Sequence, residues 1–334
     1  MTVLNTELTR RFGLRLPVLA GGLMWLADAD YVAAAAHAGG IGFLTAASFP
    51  EDDALRCEIS RARDLCAGKA FGVNVSMLPK LVPGDRTDTV FRIAAEEGVK
   101  VIETSGRNPE PYMPLLRELG LTVIHKVPAV RYALKAQSVG VDMVAIVGAE
   151  CGGHPGLDMI GSFVNAAMAG RDLDIPFLIG GGVGHGSQIV AALAMGAAGV
   201  VMGTRLLVAE EINAHPNYKH AIAHASERDT ALTMSSVRNT VRTLANETTE
   251  AVTQLETDNP GVTISELMPL VSGKIGRKAY ETGDVSKGLL SAGHALGLAN
   301  AVTPMAEIFD HLEQEALAAL GRINDIQSPA QGAA

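Results

Sequence analysis

Eight short apolar runs in the first two thirds of the chain constrain the fold more than any other feature. Each run is almost continuous in apolar residues, as is typical of parallel strands that are buried on both faces. Amphipathic, helix-like stretches separate the runs, and several of these stretches end in glycine, the common residue at a helix C-terminus. The runs cover residues 17–23, 40–47, 70–77, 99–106, 121–127, 143–150, 176–183 and 199–207.

This succession of strand and helix patterns predicts an α/β fold, a closed (β/α)8 TIM barrel, for which about 250 residues is typical. A doubly wound open sheet is the alternative. Its first strand would lead into a G-x-G-x-x-G turn. The first run leads instead into "AGGLMWLA", which lacks that spacing, so the barrel is favoured.

The pattern changes after residue 208, where polar, helix-like sequence replaces the strand runs. In this segment Arg238 and Arg242 are spaced i, i+4, which predicts that they share one face of one helix. We therefore divide the chain into a barrel over 1–209, a helical subdomain over 210–280, a return to the barrel with a C-terminal helix over 281–322, and a flexible tail over 323–334.

Composition limits the classes of partner. The net charge is -9 and aromatic residues make up only 4%, so neither a basic phosphate-binding stripe nor a base-stacking surface is expected, which disfavours nucleic acid. Three cysteines and no apolar leader at the N-terminus favour a reducing, cytoplasmic location. No membrane span is expected, because Gly39 and Gly40 interrupt the longest apolar stretch, 32–49.

Glycines after the seventh and eighth runs predict a phosphate site. In a barrel, the loops after strands seven and eight are the usual place for a bound phosphate. "IGGGVGHG" contains Gly181 and Gly182, and "MGTR" contains Gly203 and Thr204. Bare backbone N–H groups can approach a phosphate there. Tight turns without a ligand are the alternative interpretation.

Other polar residues also fall at predicted strand ends. Lys126 could neutralise an anion or the charge near N1 of a reduced flavin, or it could be a solvated lysine. His154 lies in the glycine-rich segment "GAECGGHPG" and could be a base facing a ligand or a hydrogen-bonded loop residue. Glu150 is expected to bond backbone and shape that loop. Nothing around Cys151 indicates a depressed thiol pKa, and no metal-ligand spacing surrounds His154.

Several of these segments together resemble the nitronate monooxygenase (2-nitropropane dioxygenase) family of FMN-dependent barrel oxidoreductases. They are "PVLAGGLMWLADADYVAAAAHAGGIG", "FGVNVSM", "GAECGGHPG", "IGGGVGHGSQIVAALAMGAAGVVMGTRLL" and "SSVRNTVR". The "ECGGHPG" variant and "LVSGKIGRKAYETGD" look most similar to the branch known as NADH:quinone reductases. Ala20 and Met24 stand where many relatives carry glutamine, which makes the expected pocket more apolar.

The resemblance implies an FMN enzyme whose barrel, 1–209, holds the cofactor and whose catalytic residue is His154. The residues implied in FMN binding are Gly22, Leu23, Met24, Asn74, Lys126, Ala149, Gly152, Gly153, Gly181, Gly182, Gly203 and Thr204, with no metal.

Two reactions fit this resemblance. The first is oxidation of alkyl nitronates or nitroalkanes by O2. The alternative is NAD(P)H-dependent reduction of quinones or enones, with NADH or NADPH held between the barrel mouth and the 210–270 segment. A non-catalytic FMN or phosphate-binding protein is the third hypothesis. The expected partner is a small molecule, and a homodimer is left open.

Overall fold

The computed structural model describes residues 4–77 and 85–327, and within them the predicted barrel is confirmed. Eight parallel strands follow one another in chain order, and the first pairs with the last to close the sheet. Each strand lies inside one of the eight apolar runs. The strands are β1 (Val18–Ala20), β2 (Ile41–Thr45), β3 (Phe71–Met77), β4 (Val101–Gly106), β5 (Thr122–Val127), β6 (Met143–Val147), β7 (Phe177–Gly180) and β8 (Gly199–Met202).

Helices surround the barrel and fill the segment after β8. In the described part of the chain these are α1 (Glu7–Phe12), α2 (Ala29–Ala38), α3 (Asp52–Cys66), α4 (Thr87–Glu96), α5 (Met113–Glu118), α6 (Val130–Ser138), α7 (Ser162–Asp172), α8 (Gly186–Ala194), α9 (Pro216–His224), α10 (Glu247–Asp258), α11 (Ile264–Val271), α12 (Gly273–Thr282) and α13 (Met305–Gln327). Helix α13 packs against both α8 and α2 and so takes the eighth helical position of the barrel.

Local sequence accounts for several helix ends. Thr263 caps α11 through a reciprocal box in which its hydroxyl accepts from the Glu266 amide and Glu266 accepts from the Thr263 amide at 2.7 Å. Helix α2 ends at Gly39, whose φ of 98° is unfavourable for residues with a side chain.

The barrel interior changes character from one end to the other. Alternate strand residues point inward, and Phe43, Val101 and Ile124 form part of a buried apolar cluster there. Glu103 lies two residues beyond Val101 on β4, toward the carboxyl end, and pairs with Asn74 on β3; both are buried, with Glu103 at 0% exposure. The polar layer therefore lies at the carboxyl end of the barrel, directly below the loops.

The segment between β8 and α13 contains an antiparallel hairpin, so the expectation that it lacks strands is wrong. Strand β9 (Thr230–Thr233) pairs with β10 (Val241–Leu244). Threonine and valine supply the β-branched residues that suit strands, but both runs are short, which hid the alternation. Arg238 lies in the connecting turn with φ of 55°, and Arg242 lies in β10. The predicted shared helix face for these two arginines is therefore wrong.

The last helix reaches Gln327, so residues 323–327 of the predicted tail are helical, and 328–334 lie outside the described residues. Among residues 4–77 and 85–327, no helix combines the length and the apolar character that a bilayer-spanning segment needs.

Candidate functional site

The loops that follow the strands gather on one face of the barrel, as parallel strands require. All of the candidate site residues predicted from the sequence lie on this face or on the strand segments just below it. They fall after β1 (Gly22, Leu23, Met24), in β3 (Asn74), in β5 (Lys126), after β6 (Ala149, Gly152, Gly153, His154), after β7 (Gly181, Gly182) and after β8 (Gly203, Thr204). This face is therefore a single candidate active site.

The loop after β1 lies directly over β3. A Cβ atom added to Gly22 would come within 2.6 Å of the Asn74 Cβ and 2.9 Å of the Thr45 hydroxyl oxygen, so only glycine fits. The same loop reaches β8, because a Cβ at Gly203 would lie 3.5 Å from a methyl group of Leu23. Met24 is 47% exposed and leaves an apolar side chain at the rim.

Three polar side chains meet inside the barrel below this loop. The Asn74 amide nitrogen donates to Glu103 Oε2, and the Lys126 ammonium forms a salt bridge with the same oxygen at 3.0 Å. Asn74 and Glu103 are buried, whereas 22% of the Lys126 side chain is exposed. Lys126 is therefore paired with a buried carboxylate and is not a fully solvated strand-end lysine.

The loop after β6 is fixed by Glu150, as expected. Both carboxylate oxygens accept from the Ser162 amide, at 3.1 and 3.0 Å, and the Ser162 hydroxyl bonds Glu150 Oε2 at 2.9 Å. The Ser162 hydroxyl oxygen also lies 2.8 Å from the carbonyl oxygens of Gly180 and Gly181. Glu150 therefore ties the loop after β6 to the start of α7 and, through Ser162, to the loop after β7.

The hairpin holds the other end of the β6 loop. Gly153 and Arg242 exchange two backbone hydrogen bonds, of 2.9 and 2.7 Å. The buried Arg242 guanidinium donates to the Ala149 carbonyl through Nε at 3.3 Å and through Nη2 at 3.2 Å. The Gly153 N–H is consequently used within the protein. Any contribution of Gly153 to ligand binding must come from close backbone approach.

His154 follows this clamped glycine and projects beside the hairpin. Its side chain is exposed, but protein atoms surround much of the imidazole ring. Removal of solvent there lowers the pKa of the imidazole, and a hydrogen bond with the Asn239 side chain partly opposes that change. The imidazole is therefore neutral at physiological pH, the form that can accept a proton.

The glycines after β7 and β8 present free amides. Among residues 4–77 and 85–327, the N–H groups of Gly181, Gly182 and Gly203 have no hydrogen-bond acceptor. These glycines are half-buried, and Gly181 and Gly182 have φ of 95° and 71°. The Thr204 hydroxyl accepts from the Gly293 amide at 2.9 Å, which leaves its own proton to donate. Amides and hydroxyl together can bind a phosphate without a metal ion.

Cys151 lies in the same loop but is not an activated thiol. Burial raises its pKa to about 12, although the nearby charges of Lys126 and Arg242 act in the opposite direction. The thiol is therefore protonated at neutral pH, and a nucleophilic role is not supported.

Sequence reasoning missed Glu103 and missed the contact of Arg242 with the loop after β6. Glu103 stands inside the apolar run "VKVIETSG", where a charged residue is rarely left unpaired. That contrast was the available signal. Arg242 carried no comparable signal, because its contact with Ala149 spans 93 positions of sequence.

Known proteins resemble this chain in sequence and in fold. The sequence model of the nitronate monooxygenase family matches residues 5–315. A (3aS,4S,5R,7aS)-5-hydroxy-7a-methyl-1-oxo-octahydro-1H-indene-4-carboxyl-CoA dehydrogenase of Rhodococcus jostii is 33% identical over 70% of this chain. A probable nitronate monooxygenase of Staphylococcus aureus is 26% identical over 93% of this chain and 98% of its own length.

Among solved structures, FabK from Thermotoga maritima matches with a TM-score of 0.88 and 29% identity, over 97% of this chain and 100% of the other. The chain spans 63% of the length of the Rhodococcus jostii relative and 57% of the length of a Mycobacterium tuberculosis dehydrogenase with the same name.

Proposed function

The chain belongs to the nitronate monooxygenase family of flavin-dependent oxidoreductases, and from that premise we propose that it binds FMN and oxidises alkyl nitronates or nitroalkanes with O2. The observation that carries the cofactor assignment is the set of unpartnered amides at Gly181, Gly182 and Gly203 beside the Thr204 hydroxyl. They stand after β7 and β8, where barrels commonly bind one phosphate.

The other predicted cofactor residues could contact the flavin ring of FMN, which is flat and has polar edges. Gly22 leaves no room for a side chain above Asn74, so backbone alone lines that side of the site. Asn74 and Lys126 supply polar groups from the barrel interior. The backbone of Leu23, Met24, Ala149, Gly152 and Gly153 would complete the cradle. When bound there, FMN supplies the electron acceptor that the protein itself lacks.

We assign the proton-accepting role to His154. A neutral nitroalkane must lose a proton from the carbon that bears the nitro group, and a neutral imidazole nitrogen can take it. A preformed nitronate has already lost that proton. We further propose that the barrel of 1–209 holds the cofactor and that 210–280 covers its mouth, because the hairpin clamps the loop that carries His154.

The cofactor proposal is tested by identifying the flavin. We expect the purified protein to be yellow and to release FMN on denaturation, because the site offers one phosphate cradle and the first βα turn lacks a dinucleotide fingerprint. Mass spectrometry of the released compound decides the question. FAD, or no flavin after incubation with FMN, would contradict the proposal.

The base assignment is tested by His154→Ala. The variant should retain FMN, because the phosphate amides are untouched. Anaerobic flavin reduction by a neutral nitroalkane should fall by about 10²–10⁴-fold, the usual range for general acid–base help. Reduction by a preformed nitronate or by NADH should fall much less, since neither needs this base. Equal small losses with all three donors would assign His154 a structural role in the turn.

One surface feature favours a second candidate, NAD(P)H-dependent reduction of quinones or enones. Lys274, Arg277 and Lys278 are exposed on α12, and the Arg277 guanidinium lies 5.1 Å from the centre of the Trp25 ring, next to the loop after β1. Such cations could bind the phosphates of NADH or NADPH. They would equally suit a CoA ester, the substrate class in the name of the Rhodococcus jostii relative.

Anaerobic stopped-flow mixing separates these candidates. The flavin absorbance is followed after mixing with a nitronate, with NADH and with NADPH. Rapid bleaching by the nitronate alone supports the first proposal. Rapid bleaching by a nicotinamide, with reoxidation by a quinone, supports the second.

A further inference from the structure

Glu103 is a carboxylate that neither proposed reaction uses directly, yet it lies in the centre of the site. We infer that Glu103 is a positioning residue that sets the polar pattern and the net charge that Asn74 and Lys126 present to the flavin. This inference rests on the proposed function, because it requires a flavin above these two side chains.

The strand register places the three residues at adjoining positions. Asn74 of β3 pairs with Glu103 of β4, and Glu103 pairs with Ile124 of β5, two residues before Lys126. Glu103 Oε2 receives both the Asn74 amide and the Lys126 ammonium. Glu103 Oε1 and the Thr45 hydroxyl are buried in the same region without a hydrogen-bond partner among the described residues.

This arrangement fixes the direction of the Asn74 amide. An ionised carboxylate only accepts hydrogen bonds, so Asn74 must turn its nitrogen toward Glu103 and its carbonyl oxygen away from it. Lys126 keeps two N–H groups for other acceptors. The site therefore offers one acceptor and several donors side by side. The imide edge of a flavin, in which one N–H stands between two carbonyls, has the complementary pattern.

The same arrangement cancels the charge of Lys126. With Glu103 ionised, the pair is neutral, so the flavin meets no full positive charge from below. An unpaired ammonium in this largely buried setting would stabilise the reduced flavin, which carries more negative charge than the oxidised form. Glu103 thus keeps the flavin a better reductant and a weaker electron acceptor than Lys126 alone would make it.

The test is the midpoint potential of the bound flavin in Glu103→Gln, Lys126→Met and the double variant. Glu103→Gln should favour the reduced flavin at least tenfold, a rise of about 30 mV for a two-electron couple. Lys126→Met should favour the oxidised flavin at least tenfold, which lowers the midpoint potential by about 30 mV. In the double variant the midpoint potential should return close to the wild-type value, because both charges of the pair have been removed.

FMN dissociation constants, measured on the same proteins, give a readout that does not depend on turnover. If Glu103→Gln does not fold, the double variant is compared with Lys126→Met, and the removal of the unpaired Glu103 carboxylate should raise the midpoint potential of the flavin by at least the equivalent of tenfold. A wild-type protein that binds no flavin would overturn this inference together with the proposed function. If the wild type binds FMN but the equilibrium constant for flavin reduction changes less than twofold in the variants, the role of Glu103 alone would be overturned.

Discussion

Arg242→Ala should destabilise the protein far more than Arg238→Ala, although the two arginines are four residues apart. Arg242 is 7% exposed and donates three side-chain hydrogen bonds, two to the Ala149 carbonyl and one to the Thr230 hydroxyl at 3.0 Å. Arg238 is exposed, in the hairpin turn, and its backbone amide bonds the Ser235 carbonyl at 3.1 Å. The pair is therefore a matched test of burial.

The expected magnitude follows from what Arg242→Ala leaves behind. The carbonyl of the half-buried Ala149 loses both of its guanidinium donors, and an unsatisfied acceptor costs up to about 1–3 kcal/mol. Loss of the packed arginine stem adds to this cost. Release of a buried cation offsets part of it, because removal of solvent already lowers the pKa of Arg242. We expect a net loss of about 2–4 kcal/mol in the free energy of unfolding, by the usual range for buried networks.

The assay is chemical denaturation of FMN-loaded protein, followed by far-ultraviolet circular dichroism. Arg238→Ala should stay within about 0.5 kcal/mol of wild type, as is usual for exposed positions. Arg242→Ala should also weaken nitroalkane oxidation, because the loop that carries His154 loses its side-chain anchor at the Ala149 carbonyl, although the backbone bonds between Gly153 and residue 242 remain. Equal stabilities for the two variants would refute the reasoning that the hairpin is held to the barrel through Arg242.

Three further predictions concern charge and protonation. Gly203→Asp should weaken FMN binding at least tenfold relative to the neutral, equally sized Gly203→Asn, by like-charge repulsion of the phosphate. Among the described residues, a Cβ there would have a Leu23 methyl as its one neighbour within 4 Å, at 3.5 Å. Equal FMN affinities would place the phosphate elsewhere. Burial lowers the pKa of His125 from 6.5 to about 4. Its neutral form therefore contributes stability that is complete above pH 6.5 and is lost as the pH falls toward 4, by up to about 3 kcal/mol. In His125→Gln the denaturation midpoint should depend less on pH between 6.5 and 4 than it does in wild type. An unchanged pH dependence would count against the role of His125. At pH 8, iodoacetamide followed by peptide mass spectrometry should modify exposed Cys57 and spare Cys151, whose pKa is about 12. Comparable labelling would contradict that protonation state.

Gly203 is a sharper probe of the phosphate site than Gly182, although both were predicted from the sequence. At Gly182 φ is 71°, so any side chain is strained, and an added Cβ would come within 3.0 Å of the Glu150 Cβ. Gly182→Asp would therefore disturb the β6 loop as well as the phosphate. The φ of Gly203 is -127°, outside the left-handed region. The strain of an added side chain and its charge repulsion of the phosphate can be separated only when the backbone conformation of each glycine is known.

The barrel could be predicted because its signal is local. Each strand is buried on both faces, so an apolar run such as 70–77 identifies β3 (Phe71–Met77) without knowledge of its neighbours. The common location of the polar residues at strand ends could also be predicted, because parallel strands bring their carboxyl ends to one face. The hairpin was missed for the opposite reason. Its strands have four residues each, and they are stabilised by contacts with the barrel loops, such as the Gly153–Arg242 pair.

Glu103 shows where sequence reasoning stops and what would extend it. Its run reads as a buried strand, and the charge within it demanded a partner that the run could not supply. Strand order in a barrel is known once the fold is predicted, so the partner had to come from β3 or β5, and the inward positions of those strands include Asn74 and Lys126. The residues of the network could therefore have been predicted from the sequence. The stagger between neighbouring strands could not be predicted from it. It decides whether Lys126 meets Glu103 at 3.0 Å or lies one layer away, and with it whether the flavin faces a neutral pair or a free cation.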